Sequence, residues 1–389
     1  MSGKRRRVCV VITARASYAR IKTVLEAVRD HSDLELLLVV AASALLERYG
    51  PVIDIIRADG FEPTSTVYML VEGENLVTSA KSTGAGISEL ATVFDNLAPD
   101  MVLSIADRYE TIATAIAASY LNIPVGHVQG GEITGSIDEK VRHAVTKLSN
   151  LHFVANEPAA ERVRRMGEDP ATVYMTGCPS IDLAARIKAE DADGFDVYSV
   201  AGGSGVGHAF DPVGRYLVVM QHPVTTENAE AGAQVAKTLK AVNSLEMPTF
   251  WFWPNVDAGS DDVSKRIRTF REEQDPDRFY FLKNLSPENF LRLLRGAACM
   301  VGNSSAGIRE CAFLGVPTVN IGSRQRRRER GPNVTDVDYD RKAIAAAVKN
   351  CVKNGPCDSS HIYGDGQSGP RIADLLSKAP LNFDKQIAY

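Results

Sequence analysis

Several features that would mark a special class of protein are missing from this chain. None of its six cysteines (Cys9, Cys178, Cys299, Cys311, Cys351, Cys357) forms a C-x-x-C pair, and most sit in apolar runs. This argues against a disulfide framework or a zinc site, and for reduced, mostly buried thiols in a cytoplasmic protein without a metal. Long hydrophobic runs are missing as well. Val8-Cys-Val-Val-Ile12, which follows the basic N-terminus, is too short for a secretory signal core or a membrane span. Basic charge is not in excess: 44 Lys and Arg against 48 Asp and Glu give −4, so no global field points to nucleic acid or a membrane. Lys4-Arg-Arg-Arg7 is the local exception and reads as a solvated tail before the first strand. There is no internal repeat and no long low-complexity segment.

What is present is an ordinary globular composition, 44% hydrophobic and 24% charged, in 389 residues. That length predicts about two domains. Continuous apolar β-type runs at Val8–Thr13, Leu36–Ala42, Met101–Ile105, Val125–Val128, Leu151–Ala155 and Val173–Thr176 alternate with helical patterns at Arg20–His31, Ser79–Leu97, Glu110–Leu121 and Glu157–Met166. A second series runs from Tyr216–Gln221 through Thr249–Trp253, Phe279–Phe281 and Cys299–Val301 to Thr318–Ile321, with helices at Glu227–Asn243, Ser260–Glu273 and Pro287–Gly296 and another from about Ser305. Strand–helix alternation of this kind predicts parallel, doubly wound sheets. The fold class is therefore α/β, two Rossmann-like domains facing a cleft. Asp191–Gly214, rich in Gly, Asp and Ser, reads as the interdomain connection with a surface insertion. A last helix, Gly369–Ser377, crosses back to the first domain.

The densest chemistry lies in His127-Val-Gln129-Gly-Gly-Glu132-Ile-Thr-Gly-Ser-Ile-Asp138-Glu-Lys-Val-Arg142-His143, at a strand end and a helix start. Upstream, Asp107-Arg108 closes another apolar strand. Two acid-bearing strand ends separated by one helix are what an open α/β sheet offers a ligand at its carboxyl edge. Ser136-x-x-Glu139 is also a capping box, but capping alone leaves the glycines and Asp107-Arg108 without a role.

In the second half, Met300-Val-Gly-Asn303-Ser304-Ser305-Ala-Gly307-Ile-Arg-Glu310 reads as a strand, a Gly/Ser turn and a helix start. Backbone N–H groups there suit a diphosphate, and Glu310 suits the hydroxyls of a ribose. The alternative is that Asn303 or Ser304 simply caps the helix. Gln221-His222 and Asn255-Val-Asp257 add polar strand ends on the same edge, His222 as a donor to phosphate. Ser323–Gly331 carries five arginines within Arg324–Arg330, without the interleaved aromatics of an RNA surface. One or two of them reach ligand phosphates, and the rest are solvated loop.

Taken together, the motifs resemble the hydrolysing UDP-N-acetylglucosamine 2-epimerase family of the sialic and legionaminic acid type. The resemblance rests on Arg15-Ala-x-Tyr18, Asp107-Arg108, Gly130–Asp138 with Arg142–Leu148, Gly177-Cys-Pro-Ser180, Gln221–Thr226, Pro254–Ser260, Gly302–Glu310, Arg324-Gln325, Arg328-Glu329 and Ile362–Gly366. It implies a GT-B architecture with residues 1–182 carrying the sugar-side acids, 183–368 binding UDP, and 369–389 as a returning helix and tail. It places Asp107, Glu132, Asp138 and His127 around the sugar as catalytic groups. It places Arg15, Arg108, His222, Asn255, Ser304, Ser305, Glu310 and Arg324 on the uridine diphosphate, with Gln129, Arg142, Asp257 and Gly307 completing the substrate-binding set. The implied reaction converts UDP-N-acetylglucosamine and water to N-acetylmannosamine and UDP through a glycal, with no cofactor and no metal. The partners implied are a UDP-sugar and further copies of the chain, as a homodimer or homotetramer, with no nucleic acid and no membrane. Gln129 departs from the glutamate of many members and cannot act as a base. Ala44, Ala19, Arg326 and Arg327 depart as well. Gln129 leaves room for a 2,4-diacetamido-trideoxy substrate. A non-hydrolysing 2-epimerase, a GT-B glycosyltransferase and a sugar-nucleotide-binding protein with impaired catalysis are the competing readings.

Overall fold

The computed structural model describes residues 4–388 apart from 47–51, 74, 106–107, 135–136, 192–193, 204, 213–214, 255–258 and 383. The chain divides into two compact units, one formed by Met1–Glu132, Ile137–Leu183 and Tyr363–Tyr389, the other by Ile133–Ser136 and Ala184–Ile362.

The first unit runs β1 (Arg6–Ile12), α1 (Arg15–Asp30), β2 (Leu34–Ala41), α2 (Val52–Ala58), β3 (Ser65–Val67), α3 (Leu76–Leu97), β4 (Met101–Ile105), α4 (Thr111–Tyr120), β5 (Val125–Val128), α5 (Ile137–Leu148), β6 (Leu151–Val154), α6 (Glu157–Arg165), β7 (Val173–Met175) and α7 (Pro179–Ala189), the last reaching into the second unit. Its sheet has the order β3-β2-β1-β4-β5-β6-β7, and every neighbouring pair is parallel. The strands are continuous apolar runs because both faces are covered. Val8, Val10 and Ile12 face a cluster with Ile21, Val24 and Leu25 of α1, while Cys9 and Val11 face one with Leu90 and Phe94 of α3.

Of the basic N-terminal cluster, Lys4 and Arg5 are exposed ahead of the first strand as expected, but Arg6 and Arg7 are not solvated tail. Arg6 and Arg7 are part of β1. The Arg7 guanidinium donates to Leu97 O at 2.6 Å, at the C-terminus of α3. The Arg6 guanidinium donates to Leu376 O and, at 2.9 Å, to Ala379 O, at the end of a helix spanning Ser368–Lys378. Cations complement the unsatisfied carbonyls at helix C-termini, which fixes these arginines in the strand. The N-terminus of the same helix is capped from elsewhere in the unit: Asp182 accepts from Ser368 N at 2.8 Å and Gly369 N at 2.6 Å.

The second unit runs α8 (Val197–Val200), β8 (Gly205–Gly207), β9 (Leu217–Met220), α9 (Ala231–Asn243), β10 (Thr249–Phe252), α10 (Ser260–Gln274), β11 (Phe279–Leu282), α11 (Pro287–Arg295), β12 (Cys299–Gly302), α12 (Glu310–Leu314), β13 (Thr318–Ile321), β14 (Val334–Val337) and α13 (Arg341–Asn354); the returning helix of the first unit is then α14. The sheet order is β14-β13-β12-β9-β10-β11-β8, parallel except for the antiparallel β8 on β11. Trp251 and Phe281 are at the centre of its core. The stretch read as a connection, Asp191–Gly214, thus contributes an edge strand. Its glycines allow this: a Cβ on Gly205 would lie 2.2 Å from the Tyr280 ring. Tyr198 clamps the segment, its hydroxyl donating to Phe210 O at 2.7 Å while its ring packs edge-on against Tyr280.

Among the parallel strands of each sheet the order of connection reverses once, between β1 and β4 in the first and between β9 and β12 in the second. Such reversals splay the loops at the carboxyl ends of the strands and are where α/β sheets take ligands.

Candidate active site

In the first unit the reversal is bordered by the loop from β1 to Arg15 and by the segment after β4. Arg15 is the first residue of α1, and Ser17 closes the turn by accepting from Ala14 N at 2.9 Å. Burial lowers the Arg15 guanidinium to about 10; a partly buried cation is suited to meet an anion. Arg108 is buried and ion-paired to Glu110, Nε to Oε1 at 2.7 Å. Asp107 lies outside the described residues.

The loop after β5 is tightly specified. His127 on β5 is fully buried, and its Nδ1 is 3.1 Å from Thr146 Oγ1. Gln129 takes a left-handed backbone (φ 68°), donates its amide to Cys178 Sγ and is buried. Gly131 (φ 74°) packs so close that a Cβ would be 2.2 Å from Ala159 O, and its carbonyl accepts from Arg162 at 3.0 Å. The Glu132 carbonyl accepts from the buried Arg142 guanidinium at 2.8 Å. Asp138 is in the first turn of α5, where the helix dipole favours a carboxylate. Ser136, the residue on which the capping-box reading rests, is outside the described residues; one Glu139 carboxylate oxygen lies 3.6 Å from His143 Nε2.

In the second unit, the reversal between β9 and β12 is bridged by Asn303. Its Oδ1 accepts from His222 N at 2.7 Å and its Nδ2 donates to His222 O at 2.8 Å. Its own carbonyl accepts from Gln325 Nε2 at 2.9 Å and Arg324 Nη1 at 3.2 Å. Gly302 (φ 132°) makes the approach of the two strand ends feasible, since a Cβ there would be 2.1 Å from Met220 O. Ser304 caps the turn through Ala306 N at 3.3 Å, and Ser305 Oγ accepts from Arg309 at 2.8 Å. The helix expected from about Ser305 is a 3₁₀ turn, Ser305–Gly307, followed by the short α12. Gly315 ends α12 early in a left-handed conformation. Glu310 therefore opens the helix. It is buried, and among the described residues its Oε2 has no hydrogen-bond partner, which suits a ribose hydroxyl donor. Gly307 has a packing role, as a Cβ would be 2.5 Å from Thr318.

Asn255 and Asp257 lie outside the described residues. In the arginine-rich loop, Arg326 and Arg327 are exposed. Arg328 and Arg330 are not solvated loop: Arg328 is buried on Gln325 Oε1 at 2.8 Å, and Arg330 pairs with Asp336 at 2.7 Å. They shape the loop so that Arg324 and Gln325 reach Asn303.

The structure thus gathers His127, Gln129, Glu132, Asp138 and Arg142 around β5 and α5, and His222, Ser304, Ser305, Gly307, Glu310 and Arg324 around β9 and β12. Sequence reasoning missed Asn303 as a bridge, having weighed it only as a cap; it quoted Thr146 and Arg309 within motifs without giving them a role, and missed Arg162 altogether. The signal for Asn303 was its place directly after a strand-ending glycine. For Thr146 it was its place in the four-residue series Asp138, Arg142, Thr146.

A family model described as UDP-N-acetylglucosamine 2-epimerase matches residues 26–377. The hydrolysing UDP-N,N'-diacetylbacillosamine 2-epimerase of Legionella pneumophila is 33% identical over 97% of this chain and 97% of its own. A UDP-N-acetylglucosamine 2-epimerase of Neisseria meningitidis is 30% identical over 96% of this chain and 95% of its own. Among solved structures, UDP-GlcNAc 2-epimerase from Neisseria meningitidis bound to UDP-GlcNAc aligns with a TM-score of 0.78 at 17% identity, covering 96% of this chain and 100% of that one. At that identity the likeness speaks for the fold, two parallel α/β units of the GT-B kind. The family match and the two relatives span nearly the whole sequence, and the chain belongs to the UDP-N-acetylglucosamine 2-epimerase family.

Proposed function

We propose that the protein is a hydrolysing 2-epimerase, converting a UDP-2-acetamido sugar and water into UDP and the free sugar inverted at C2. The observation that carries the hydrolysing reading is the 33% identity, over nearly the full length of both chains, to a relative named as hydrolysing. In the first half-reaction the C1–O bond to UDP breaks as a base removes the C2 proton, leaving a glycal. In the second, a proton returns to C2 from the other face, and water bonds to C1 while losing a proton to a base.

Leaving-group charge needs fixed donors and cations. The turn at Ser304–Ser305, His222, Arg324, Arg15 and Arg108 are assigned to the diphosphate and Glu310 to the ribose, with Asn255, Asp257 and Gly307 in the same binding set. Proton transfer at C2 needs acids and bases held in different environments. Asp107 and Asp138 are assigned that task, with Glu132 and His127 assisting; Gln129 and Arg142 shape the loop that carries them.

UDP-N-acetylglucosamine is the substrate on the family description and the Neisseria relative. UDP-N,N'-diacetylbacillosamine is the second reading, favoured by the Legionella relative; identities of 33% and 30% do not separate the two. Incubating the purified protein with each UDP-sugar alone in H₂¹⁸O decides the reaction. Expected products are UDP and a free 2-epimeric sugar in equal amounts, with ¹⁸O in the sugar and none in UDP. A UDP-linked epimer would identify the non-hydrolysing reaction, and no turnover without an acceptor would identify a transferase; either overturns the proposal. The ratio of kcat/KM for the two donors names the substrate.

A further inference from the structure

Asp138, Arg142 and Thr146 are spaced by four along α5, so they lie on one face of the helix. Arg142 is spent on the loop after β5 and Thr146 on β5 itself. The Arg142 guanidinium holds the Glu132 carbonyl at 2.8 Å. The Thr146 hydroxyl stands between two partners, donating to the Arg142 carbonyl at 3.0 Å and lying 3.1 Å from His127 Nδ1. A hydroxyl has a single proton to give. With that proton committed to Arg142 O, the bond to His127 requires the ring to donate from Nδ1.

Two further observations show that this contact is built into the fold. Gly130 faces the pair: a Cβ there would lie 3.0 Å from His127 Nδ1 and 3.1 Å from Thr146 Oγ1, close enough to force them apart. Thr146 is fully buried and held by its backbone too, with Lys385 Nζ donating to its carbonyl at 3.0 Å.

We infer that Thr146 is a positioning residue that fixes His127 as the Nδ1–H tautomer, so that the ring meets the reaction with Nε2 as its proton-accepting nitrogen. The inference rests on the reading of His127 as an assistant in the epimerisation. The second atom of a histidine decides its role in this way wherever a neighbour orients the ring, and holding the wrong tautomer is enough to cripple a catalytic histidine.

The experiment pairs ¹⁵N spectra of histidine-labelled, ligand-free protein with kinetics, the His127 signals being identified by their loss in His127→Gln. The expected spectrum at neutral pH has a pyrrole-like Nδ1 and a pyridine-like Nε2. Thr146→Val, which keeps the shape but removes the acceptor, is expected to lose that preference and to lower kcat by about 10- to 100-fold with KM within about twofold. Thr146→Ser should restore both the spectrum and kcat, and Gly130→Ala should behave like Thr146→Val. A wild-type ring with its proton on Nε2, or protonated on both nitrogens, overturns the inference. So does a Thr146→Val enzyme with unchanged kcat. Failure of the underlying reading looks different, as wild-type protein that releases no UDP from any UDP-sugar, and the spectrum decides the tautomer even then.

Discussion

Asn303 shows how much one side chain can organise. Its amide satisfies both backbone groups of His222, so the ends of β9 and β12 are cross-braced where the sheet order reverses. In Asn303→Ala those two buried groups lose their partners, each costing about 1–3 kcal/mol. We expect UDP affinity, read by calorimetry, to fall about 10- to 100-fold and the melting temperature to drop. An affinity within twofold of wild type would mean that the bridge does not organise the anion-binding turn. Glu168 makes the corresponding case for stability. Burial pushes its carboxyl up, but bonds from His152 (2.9 Å), Lys147 (2.6 Å) and Lys385 outweigh this and hold it at about 2 instead of 4.5. A carboxylate whose folded value is depressed adds stability that is complete above its unfolded value and is lost as pH falls through its folded one. The window here runs from about 4.5 down to about 2, and the shift corresponds to roughly 3 kcal/mol. Urea denaturation of wild type and Glu168→Gln should give a gap that is full at pH 6 and has shrunk to roughly half or less at pH 3. A gap of equal size at both would show that the buried carboxylate is not what stabilises the tail and α5.

At the scale of elements, legibility followed burial. β1, β4, β5, β9 and β12 are covered on both faces, so they read as unbroken apolar runs and their limits in the sequence fall within a residue or two of those observed. Edge strands carry no such signal. β14 is Val-Thr-Asp-Val with its middle exposed, and β8 is Gly-Val-Gly; their pairing depends on backbone geometry that residue type barely encodes. α13 was not read from the sequence although Ile344, Ala347, Val348 and Cys351 stand at helical spacing, because the polar residues between them mask the period. At the site, the loops after β5 and β12 were legible through their glycines and acids. The hydrogen bonds that fix them join residues distant in sequence, as with Asn303 and His222, and no local pattern reports those. Gly302 lies between these two kinds of information. Its left-handed backbone and the absent Cβ against Met220 O say that Gly302→Ala must move the end of β12. We expect that variant to be destabilised by about 2–4 kcal/mol and to bind UDP weakly. A crystal structure of Gly302→Ala with an unmoved Asn303 would refute this.

For the molecule as a whole, the assignment separates two tasks between the two units. On the proposed assignment the second unit supplies the turn, His222 and Arg324 for the diphosphate, and the first supplies the acids and imidazole for the sugar together with Arg15 and Arg108 for the diphosphate. Binding of UDP to the folded state alone stabilises it, by about 2.7 kcal/mol at a hundredfold excess over Kd. If the tasks are divided in this way, variants should fall into two groups. Asp138→Asn should lose about 10²- to 10⁴-fold in kcat yet keep the full rise in melting temperature that UDP produces. His222→Ala and Ser304→Ala should lose much of that rise, with the drop in kcat/KM coming largely through KM. The discriminating measurement is a thermal melt with and without saturating UDP for all three variants, alongside their steady-state kinetics. Were Asp138→Asn to abolish the UDP-dependent shift, its carboxylate would be part of nucleotide binding and the division of labour would be wrong. Were His222→Ala to leave the shift intact while kcat collapsed, the histidine after β9 would have to be moved from holding the leaving group to the chemistry itself.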